Sequence, residues 1–268
     1  MELACDTHTH TLFSRHAYST IQENVAAAHE AGLELLGSAD HFSAMLFNEV
    51  TFKNYQYFIN LDAWPRVWTQ YNVILLRACE ADIVDLDGHL FGWEVPITKG
   101  INGSKRKPTT LKDRIFRGLD YVVASVHNGD FTRGASLVQT TDMYIHALQD
   151  PKVAIIGHPG RAGVPFDLDA VLTAAKDLGK MIEINEHSFD HASEKRIQRC
   201  TKIAERCAEL SVKIAVNSDA HISCEIGQLD RTKRMLEQIH FPEELIATRS
   251  AKAFLDTLRE AHVADVTL

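Results

Sequence analysis

Histidine or acidic residues stand at the end of nearly every short apolar run in this chain of 268 residues. The runs are rich in valine and isoleucine, show little polar alternation, and are separated by segments with helical spacing. This pattern predicts parallel strands that are buried on both faces and connected by helices. Such strands bring all their carboxyl ends to one face, where α/β barrels carry their chemistry. The sequence therefore predicts an α/β barrel with a polar site at one end.

The spacing between these polar run ends fits repeated strand–helix units. Successive ends are 27 to 39 residues apart, except for one interval of 47, and one unit takes roughly 30 to 40 residues. The excess falls at 94–110, which we expect to be an inserted, solvated loop or hairpin with the basic run Lys105–Lys107 at an exposed tip. The count gives seven strands, and the segment from about 225 to 268 is predicted to be helical. We expect residues 1–268 to form a single domain.

Four helical segments precede that C-terminal part. Capping signals and apolar periodicity predict helices over 19–32, 54–71, 167–179 and 193–210, the second with a break or kink at Pro65.

The composition is that of an ordinary globular protein with an acidic balance. Hydrophobic residues make up 45% and charged residues 24%, and the formal net charge is −8. That charge argues against extended nucleic-acid binding, but not against a phosphorylated substrate, because bound cations add positive charge. No signal segment or membrane span is found, and there is no Cys-x-x-Cys pair, so we expect a cytoplasmic protein. Four cysteines are expected to be reduced core residues, with Cys224 left undecided: Cys5, Cys79, Cys200 and Cys207.

Two short motifs point to metal binding. In His8-x-His10 and Asp219-x-His221, the side chains are two residues apart and leave a strand on the same face, so each pair can hold one ion. Between these pairs, the other run ends supply further donors: His41, Glu80, His127 and His158. His16 lies in the first loop, where it can reach back over the strand ends. A cluster of this kind predicts a site for several metal ions.

The remaining histidines are weaker candidates. His187 follows the sixth strand and could support the site or contact substrate. His89 is expected in a turn and His191 in a loop. The others are expected to be surface or structural residues: His29, His146, His240 and His262.

Together these motifs resemble the PHP family, named for polymerase and histidinol phosphatase domains, and in particular its small stand-alone bacterial metallophosphoesterases. The resemblance runs from residue 3 to about residue 260. It rests on Asp6-Thr-His8-Thr-His10 followed by His16-Ala-Tyr-Ser, on Asp40-His41, on His158-Pro-Gly, and on Ser218-Asp-Ala-His221. Glu80 and His127 occupy the intervening ligand positions in the expected order.

The resemblance implies a distorted seven-stranded (βα)7 TIM-like barrel with three divalent transition-metal ions, namely zinc, manganese or iron. The first ion would be bound by His8, His10, Glu80 and Asp219. The second would share Glu80 and be completed by His127 and His158, and the third would be held by His16, His41 and His221. Asp6 and Asp40 would orient neighbouring imidazoles.

Two positions depart from the family pattern. Phe42 stands where relatives often have glycine, so we expect its ring to narrow the rim of the pocket. Asn185-Glu186-His187 stands where small polar residues are more usual, which adds a carboxylate and an imidazole near the site.

The implied activity is metal-dependent hydrolysis of a phosphoester, with a small-molecule phosphomonoester as the favoured substrate. A metal-bound hydroxide would attack phosphorus, with Glu80 and Asp219 holding the ions. Arg161 would neutralise phosphoryl oxygens, and Arg133 is a second candidate for anion binding.

Three alternatives stay open. Histidinol-phosphate phosphatase is one activity within the family. A C–N hydrolase of the amidohydrolase type also uses a His-x-His pair, but it commonly bridges its metals through a lysine at the end of strand four, where this chain has His127. A metal-binding regulatory domain is the non-enzymatic alternative.

Overall fold

A computed structural model describes residues 1–268 and contains a sheet of seven parallel strands that pair in chain order. The strands are β1 (Cys5–Thr9), β2 (Leu35–Ser38), β3 (Val73–Asp82), β4 (Tyr121–Ser125), β5 (Val153–Ile156), β6 (Met181–Asn185) and β7 (Ile214–Asn217). All residues of β1, β2, β4, β5, β6 and β7 are buried, as expected for strands covered on both faces. The predicted count of seven strands is confirmed.

The sheet closes almost completely into a barrel. At the carboxyl ends, Thr9 and Ala220 form an isolated parallel bridge between the last and first strands. The segment 246–248 lies along β7: Ile246 forms a parallel bridge with Ile214 at the amino end of the strand, and the Val216 backbone N–H donates to Thr248 Oγ1 at 2.9 Å. The distorted barrel that the sequence predicts is therefore the fold of this chain.

Eight helices surround the strands. They are α1 (Ile21–Glu30), α2 (Leu111–Phe116), α3 (Leu137–Gln149), α4 (Pro159–Ala162), α5 (Leu168–Asp177), α6 (Glu194–Leu210), α7 (Asp230–Gln238) and α8 (Ala251–Glu260). The predicted helices at 19–32, 167–179 and 193–210 correspond to α1, α5 and α6. Thr20 and Glu23 form the capping box that begins α1. No helix is both long and apolar enough to cross a membrane.

The helix predicted over 54–71 is wrong. The chain there forms two 3₁₀ turns, Gln56–Ile59 and Leu61–Ala63, and then the short strand Val67–Trp68, which pairs antiparallel with β3. Pro65 prevents helix continuation, and the aromatic side chains of this segment pack against core residues from several directions. Tertiary packing overrides the local helical spacing.

The insertion at 94–110 is a hairpin, as predicted. Its strands are Pro96–Lys99 and Lys105–Thr110, and they pair antiparallel with each other. The basic run Lys105–Lys107 lies in the second strand, whereas the tip is formed by 100–104. The expectation that this run forms the tip is therefore wrong, because the glycines at 100 and 103 form the turn instead.

The five cysteines are all free. Four are buried, as predicted, and Cys224 is exposed.

Candidate metal centre

Glu80 lies at the centre of a buried cluster of imidazoles. It belongs to β3, which continues two residues beyond it, and its side chain has no exposure to solvent. Four histidine nitrogens approach its two carboxylate oxygens. The distances are 3.3 Å from His8 Nε2 and 2.7 Å from His41 Nδ1 to Oε2, and 3.2 Å from His127 Nε2 and 2.7 Å from His158 Nε2 to Oε1. One carboxylate thus joins donors from four loops and strands.

Asp219 forms the second acidic position of the cluster. Its Oδ1 lies 2.9 Å from His10 Nε2 and 3.7 Å from His8 Nε2, and its Oδ2 lies 2.8 Å from Arg161 Nη1. The loop after β7 places it there with a backbone φ of 61°. His158 has a φ of 31°. Such left-handed conformations are costly for residues other than glycine and are concentrated at functional sites.

His16, His41 and His221 form the outer part of the cluster. His41 Nε2 lies 3.1 Å from His16 Nε2, and the rings of His16 and His221 are 4.8 Å apart between centroids. His10 connects this part to the buried interior, since its ring centroid lies 4.3 Å from those of His41 and His221. The structure therefore brings together all nine residues that the sequence identifies as candidate ligands.

The donor set fits divalent cations. Buried polar atoms normally have hydrogen-bond partners, yet four atoms of the cluster lie close to one another without forming a hydrogen bond of normal geometry: His8 Nε2, His41 Nδ1, Glu80 Oε2 and His127 Nε2. Donor atoms within 4.8 Å of one another form three overlapping groups: His8, His10, Glu80 and Asp219; His41, Glu80 and His127; and His10, His41 and His221. Ionised carboxylates and imidazole nitrogens in this arrangement are typical ligands of transition metals.

The charge balance of the cluster favours cation binding. Burial raises the pKa of Glu80, but His127, His8 and His41 outweigh it and hold that pKa well below its ordinary value. Burial likewise acts against ionisation of Asp219, and His8 and Arg161 reverse the shift. The pKa of His8 is raised despite its burial, because three carboxylates surround it. Both central carboxylates are therefore ionised near neutral pH, and metal binding would displace protons from the imidazoles.

Two carboxylates that no sequence motif singles out orient imidazoles directly. Glu183 on β6 accepts a hydrogen bond from His8 Nδ1 at 2.8 Å, and Asp82 at the end of β3 accepts one from His127 Nδ1 at 2.6 Å. Each contact leaves the Nε2 of its histidine facing the cluster. Glu183 lies inside an apolar strand, so only the inward direction of its side chain could have revealed it.

The two acids that the sequence did identify act less directly than expected. Asp40 accepts from Ser14 Oγ at 2.7 Å, and Ser14 in turn contacts His10 Nδ1 at 3.1 Å. Asp6 contacts no imidazole. It accepts hydrogen bonds from the Ser218 backbone and hydroxyl, so it holds the loop that carries Asp219.

A cavity of about 360 Å³ opens above the metal cluster. It is lined by His16, His41, Met45, His127, Arg161, His187 and His221. Phe42 is absent from this lining because its ring is wholly buried and packs edge-on against Tyr55 and Phe91. The expectation that Phe42 narrows the rim is wrong, and Met45 is the apolar side chain at the mouth.

The two candidate arginines differ sharply in position. Arg161, on the one-turn helix α4, lines the cavity and pairs with Asp219. The Arg133 side chain is 82% exposed, pairs with Asp130 at 2.6 Å, and does not line the cavity. His187 is 44% exposed at the rim, with Nδ1 at 3.3 Å from Asp190 Oδ2. Of these three residues, Arg161 is the one in direct contact with the cluster.

A second, polar cavity of about 270 Å³ adjoins the first through His187, which lines both. Its walls include Glu186, Asp190 and Arg231. Glu186 accepts hydrogen bonds from the backbone N–H groups of Arg231 and Thr232 at the start of α7. The carboxylate of Glu186 is thus committed to that helix, which leaves His187 as the extra group that reaches the metal cavity.

Comparison with known proteins gives consistent matches. The family profile described as the PHP domain matches residues 6–187. A probable phosphatase of Clostridium acetobutylicum is 33% identical over 259 residues, which cover 97% of this chain and 96% of that protein. A probable phosphatase of Caldanaerobacter subterraneus subsp. tengcongensis is 36% identical over 260 residues, which cover 97% of this chain and 92% of that protein.

The fold is also similar to a solved structure. The crystal structure of histidinol phosphate phosphatase from Lactococcus lactis, complexed with zinc, L-histidinol and phosphate, aligns with a TM-score of 0.55 at 16% identity. The alignment covers 89% of this chain and 94% of that one. At this identity the likeness concerns the fold.

Proposed function

This chain belongs to the PHP domain family, and from this premise we propose that it hydrolyses a small-molecule phosphomonoester at the histidine–carboxylate cluster. Metal-dependent phosphoester hydrolysis is its reaction class, and it is a phosphatase-type enzyme that uses divalent metal. The proposal adds the monoester class, the number of ions, and the residues that bind them.

The observation that supports the proposal most directly is the set of imidazoles around the Glu80 carboxylate. Four imidazole nitrogens lie within 3.3 Å of its two oxygens, and several of the facing atoms lack hydrogen bonds. A wholly buried carboxylate among imidazoles is costly unless cations compensate it. Glu80 is therefore suited to bridge two ions.

We assign three ions to three sets of residues. His8, His10, Glu80 and Asp219 would hold the first, and Glu80, His127 and His158 the second. His16, His41 and His221 would hold the third. His41 has one nitrogen towards Glu80 and the other towards His16, so it lies between the second and third positions. The nitrogen-rich donor set suits zinc, manganese or iron better than magnesium.

When bound, such ions act as Lewis acids and make water nucleophilic at neutral pH. The chain's own groups then bind and orient the phosphoryl group. Arg161 has five N–H donors, and one of its nitrogens already lies 2.8 Å from Asp219. The remaining donors can bind phosphoryl oxygens from the cavity side, where negative charge grows in the transition state.

The cavities favour a compact monoester with a polar leaving group. The metal cavity of about 360 Å³ has one apolar side chain in its lining, and the polar cavity continues it past His187. Histidinol phosphate is a candidate of this kind, since the Lactococcus lactis phosphatase with a similar fold was solved with L-histidinol and phosphate. No lysine lines the metal cavity, which disfavours the amidohydrolase alternative.

The test is metal analysis combined with hydrolysis of p-nitrophenyl phosphate, bis(p-nitrophenyl) phosphate and histidinol phosphate. Purified protein and the variant His8→Ala are compared under identical conditions. We expect transition metal close to stoichiometric amounts, faster turnover of monoesters than of the diester, and loss of turnover in the variant.

Bound metal with preferential turnover of the diester would reject the monoester assignment. A protein that binds no transition metal after reconstitution would reject the metal assignment itself.

A further inference from the structure

A second charged cavity lies away from the metal site, between the inserted hairpin and α2. Its volume is about 530 Å³, and it is lined by Arg106, Lys107, Pro108, Thr109, Arg114 and Arg117. Four of these six side chains are cationic and none is acidic. None of them lines the metal cavity or the polar cavity beside it.

The four cations have no acidic partner within the protein. No carboxylate oxygen lies within 4.0 Å of Arg106, Lys107, Arg114 or Arg117, and none of their side chains donates a hydrogen bond, although Lys112 on the same helix pairs with Asp150 at 2.7 Å. Six of the other twelve arginines in the chain pair with an acid, as Arg206 does with Asp169. The cavity therefore gathers positive charge that the protein does not neutralise.

The geometry holds these charges close enough to repel one another. Burial lowers the pKa of Arg114, and Arg106 and Arg117 lower it further. The guanidinium of Arg114 lies 5.7 Å from the centre of the Phe52 ring, a cation–π contact. Strand pairing holds the hairpin in shape and α2 follows its second strand directly, so the backbone keeps the four cations on adjacent elements. An anion in the cavity would relieve this repulsion.

The charge distribution sets the size of that anion. Residues 96–117 include seven basic residues and one acidic residue, a formal charge of +6, which leaves −14 for the rest of a chain whose total is −8. A long nucleic acid would extend beyond the basic region, and the rest of the chain has a strongly negative net charge. A compact anion with several charges would meet only the basic region.

We propose that this cavity binds a compact ligand with two or more linked phosphate groups. Guanidinium groups bind phosphate oxygens in pairs through charge-assisted hydrogen bonds, and the arginines that line this one cavity come from both the hairpin and α2, so they offer contacts to adjacent phosphates. The site is independent of the proposed phosphatase function, because none of its residues takes part in the metal cluster.

The test is calorimetric titration of the metal-loaded protein with orthophosphate, pyrophosphate and tripolyphosphate at fixed ionic strength. Saturating orthophosphate is kept present in the pyrophosphate and tripolyphosphate titrations to occupy the metal cavity, and metal content is verified afterwards. The variant Arg106→Gln/Arg117→Gln changes two exposed side chains of the cavity. Lys195→Gln/Lys202→Gln is the charge-matched control, with both changes on the exposed face of α6.

We expect saturable binding that strengthens from pyrophosphate to tripolyphosphate. Affinity should fall by about tenfold or more in the arginine variant, since two charge-assisted contacts are lost, and stay unchanged in the lysine control. Equal affinity in wild type and arginine variant, or no saturable binding by the wild type, would overturn the proposal. Tighter binding of a 20-nucleotide strand than of tripolyphosphate would overturn the compact-ligand assignment. Each experiment measures binding affinity, so its result does not depend on whether the chain hydrolyses phosphomonoesters.

Discussion

Glu183 accepts a hydrogen bond from His8 Nδ1 at 2.8 Å, and this contact fixes which nitrogen of His8 faces Glu80 and Asp219. Glu183 is buried and also accepts from Asn217 Nδ2 at 2.8 Å and from the His158 backbone N–H at 2.9 Å. One carboxylate on β6 thus connects β1, the loop after β5, and β7. It positions a candidate ligand without being one.

Replacing Glu183 by glutamine should weaken metal binding and turnover together. The glutamine amide has the shape of the carboxylate but lacks its charge. Its NH₂ group would face one of the N–H donors from which the carboxylate accepts a hydrogen bond. Loss of such an orienting partner typically costs about 10- to 100-fold in metal affinity or activity. Metal titration and p-nitrophenyl phosphate turnover measure both effects.

The matched control is Glu205→Gln, on the exposed side of α6. Wild-type metal affinity in the Glu183 variant would mean that His8 is held in place by its packing alone.

Substituting Gly37 by alanine should destabilise the barrel. Gly37 lies in β2, and a methyl group there would overlap the Tyr121 hydroxyl and lie 2.7 Å from Thr7 O. These two atoms are hydrogen-bonded to each other at 2.6 Å, so neither can move away freely. We expect a loss of about 1–3 kcal/mol in the free energy of unfolding, the usual range for overpacking.

Urea denaturation measures this loss, with Gly118→Ala as the control. A methyl group at position 118 would have its nearest neighbour at 3.6 Å, so that variant should stay close to wild type. Equal stabilities of the two variants would show that the strands adjust to the added group.

The meeting of the candidate ligands at one end of the barrel could be predicted from the sequence, because strand periodicity determines it. His8 and His10 alternate on one strand, and the other donors follow apolar runs, so parallel topology alone brings them to one end of the barrel. The supporting residues were not predictable in this way. Glu183 and Asp82 are acids in or beside strands, and only the rotation of each strand in the closed barrel aims them at an imidazole.

The predictions for Phe42 and for the segment 54–71 are wrong for a related reason. The Phe42 ring turns inward to join Tyr55, Phe58 and Phe91, and the segment that supplies two of these partners folds around it as 3₁₀ turns. Residue spacing and helix propensity are local signals, so they do not reveal a packed cluster whose members are distant in sequence. The two errors have one cause, because the segment 54–71 supplies the residues against which the Phe42 ring packs.

Lys180 should make stability depend on pH in the alkaline range. Its Nζ is buried and donates to the backbone carbonyls of Leu148 and Asp150, and burial lowers its pKa from 10.5 to about 8. Between these two values the unfolded chain binds more protons than the folded one, so the free energy of unfolding rises with pH. The Lys180 contribution from pH 7 to pH 10 should be on the order of 2 kcal/mol.

The measurement is the difference in unfolding free energy between wild type and Lys180→Met across that range, with metal removed from both. The unfolding free energy of wild type should rise relative to that of the variant as pH rises. The two hydrogen bonds that the variant loses add a constant to this difference and do not change its pH dependence. A difference that is flat with pH would mean that the ammonium is as well solvated in the folded chain as in the unfolded one.

Arg161 and Arg133 offer a paired test of the catalytic assignment, because both come shortly after barrel strands yet only Arg161 reaches the cavity. Arg161→Met should lower kcat/KM by about 100-fold or more, the usual cost of removing a donor to a developing negative charge. Metal content should be retained, since the guanidinium contacts Asp219 without being a ligand itself. Arg133→Met should leave both quantities unchanged, because its partner is Asp130 on the surface.

If the Arg161 variant loses metal to the same extent as it loses activity, the role of Arg161 is to position Asp219. If the variant keeps full activity and full metal content, Arg161 takes no part in the reaction.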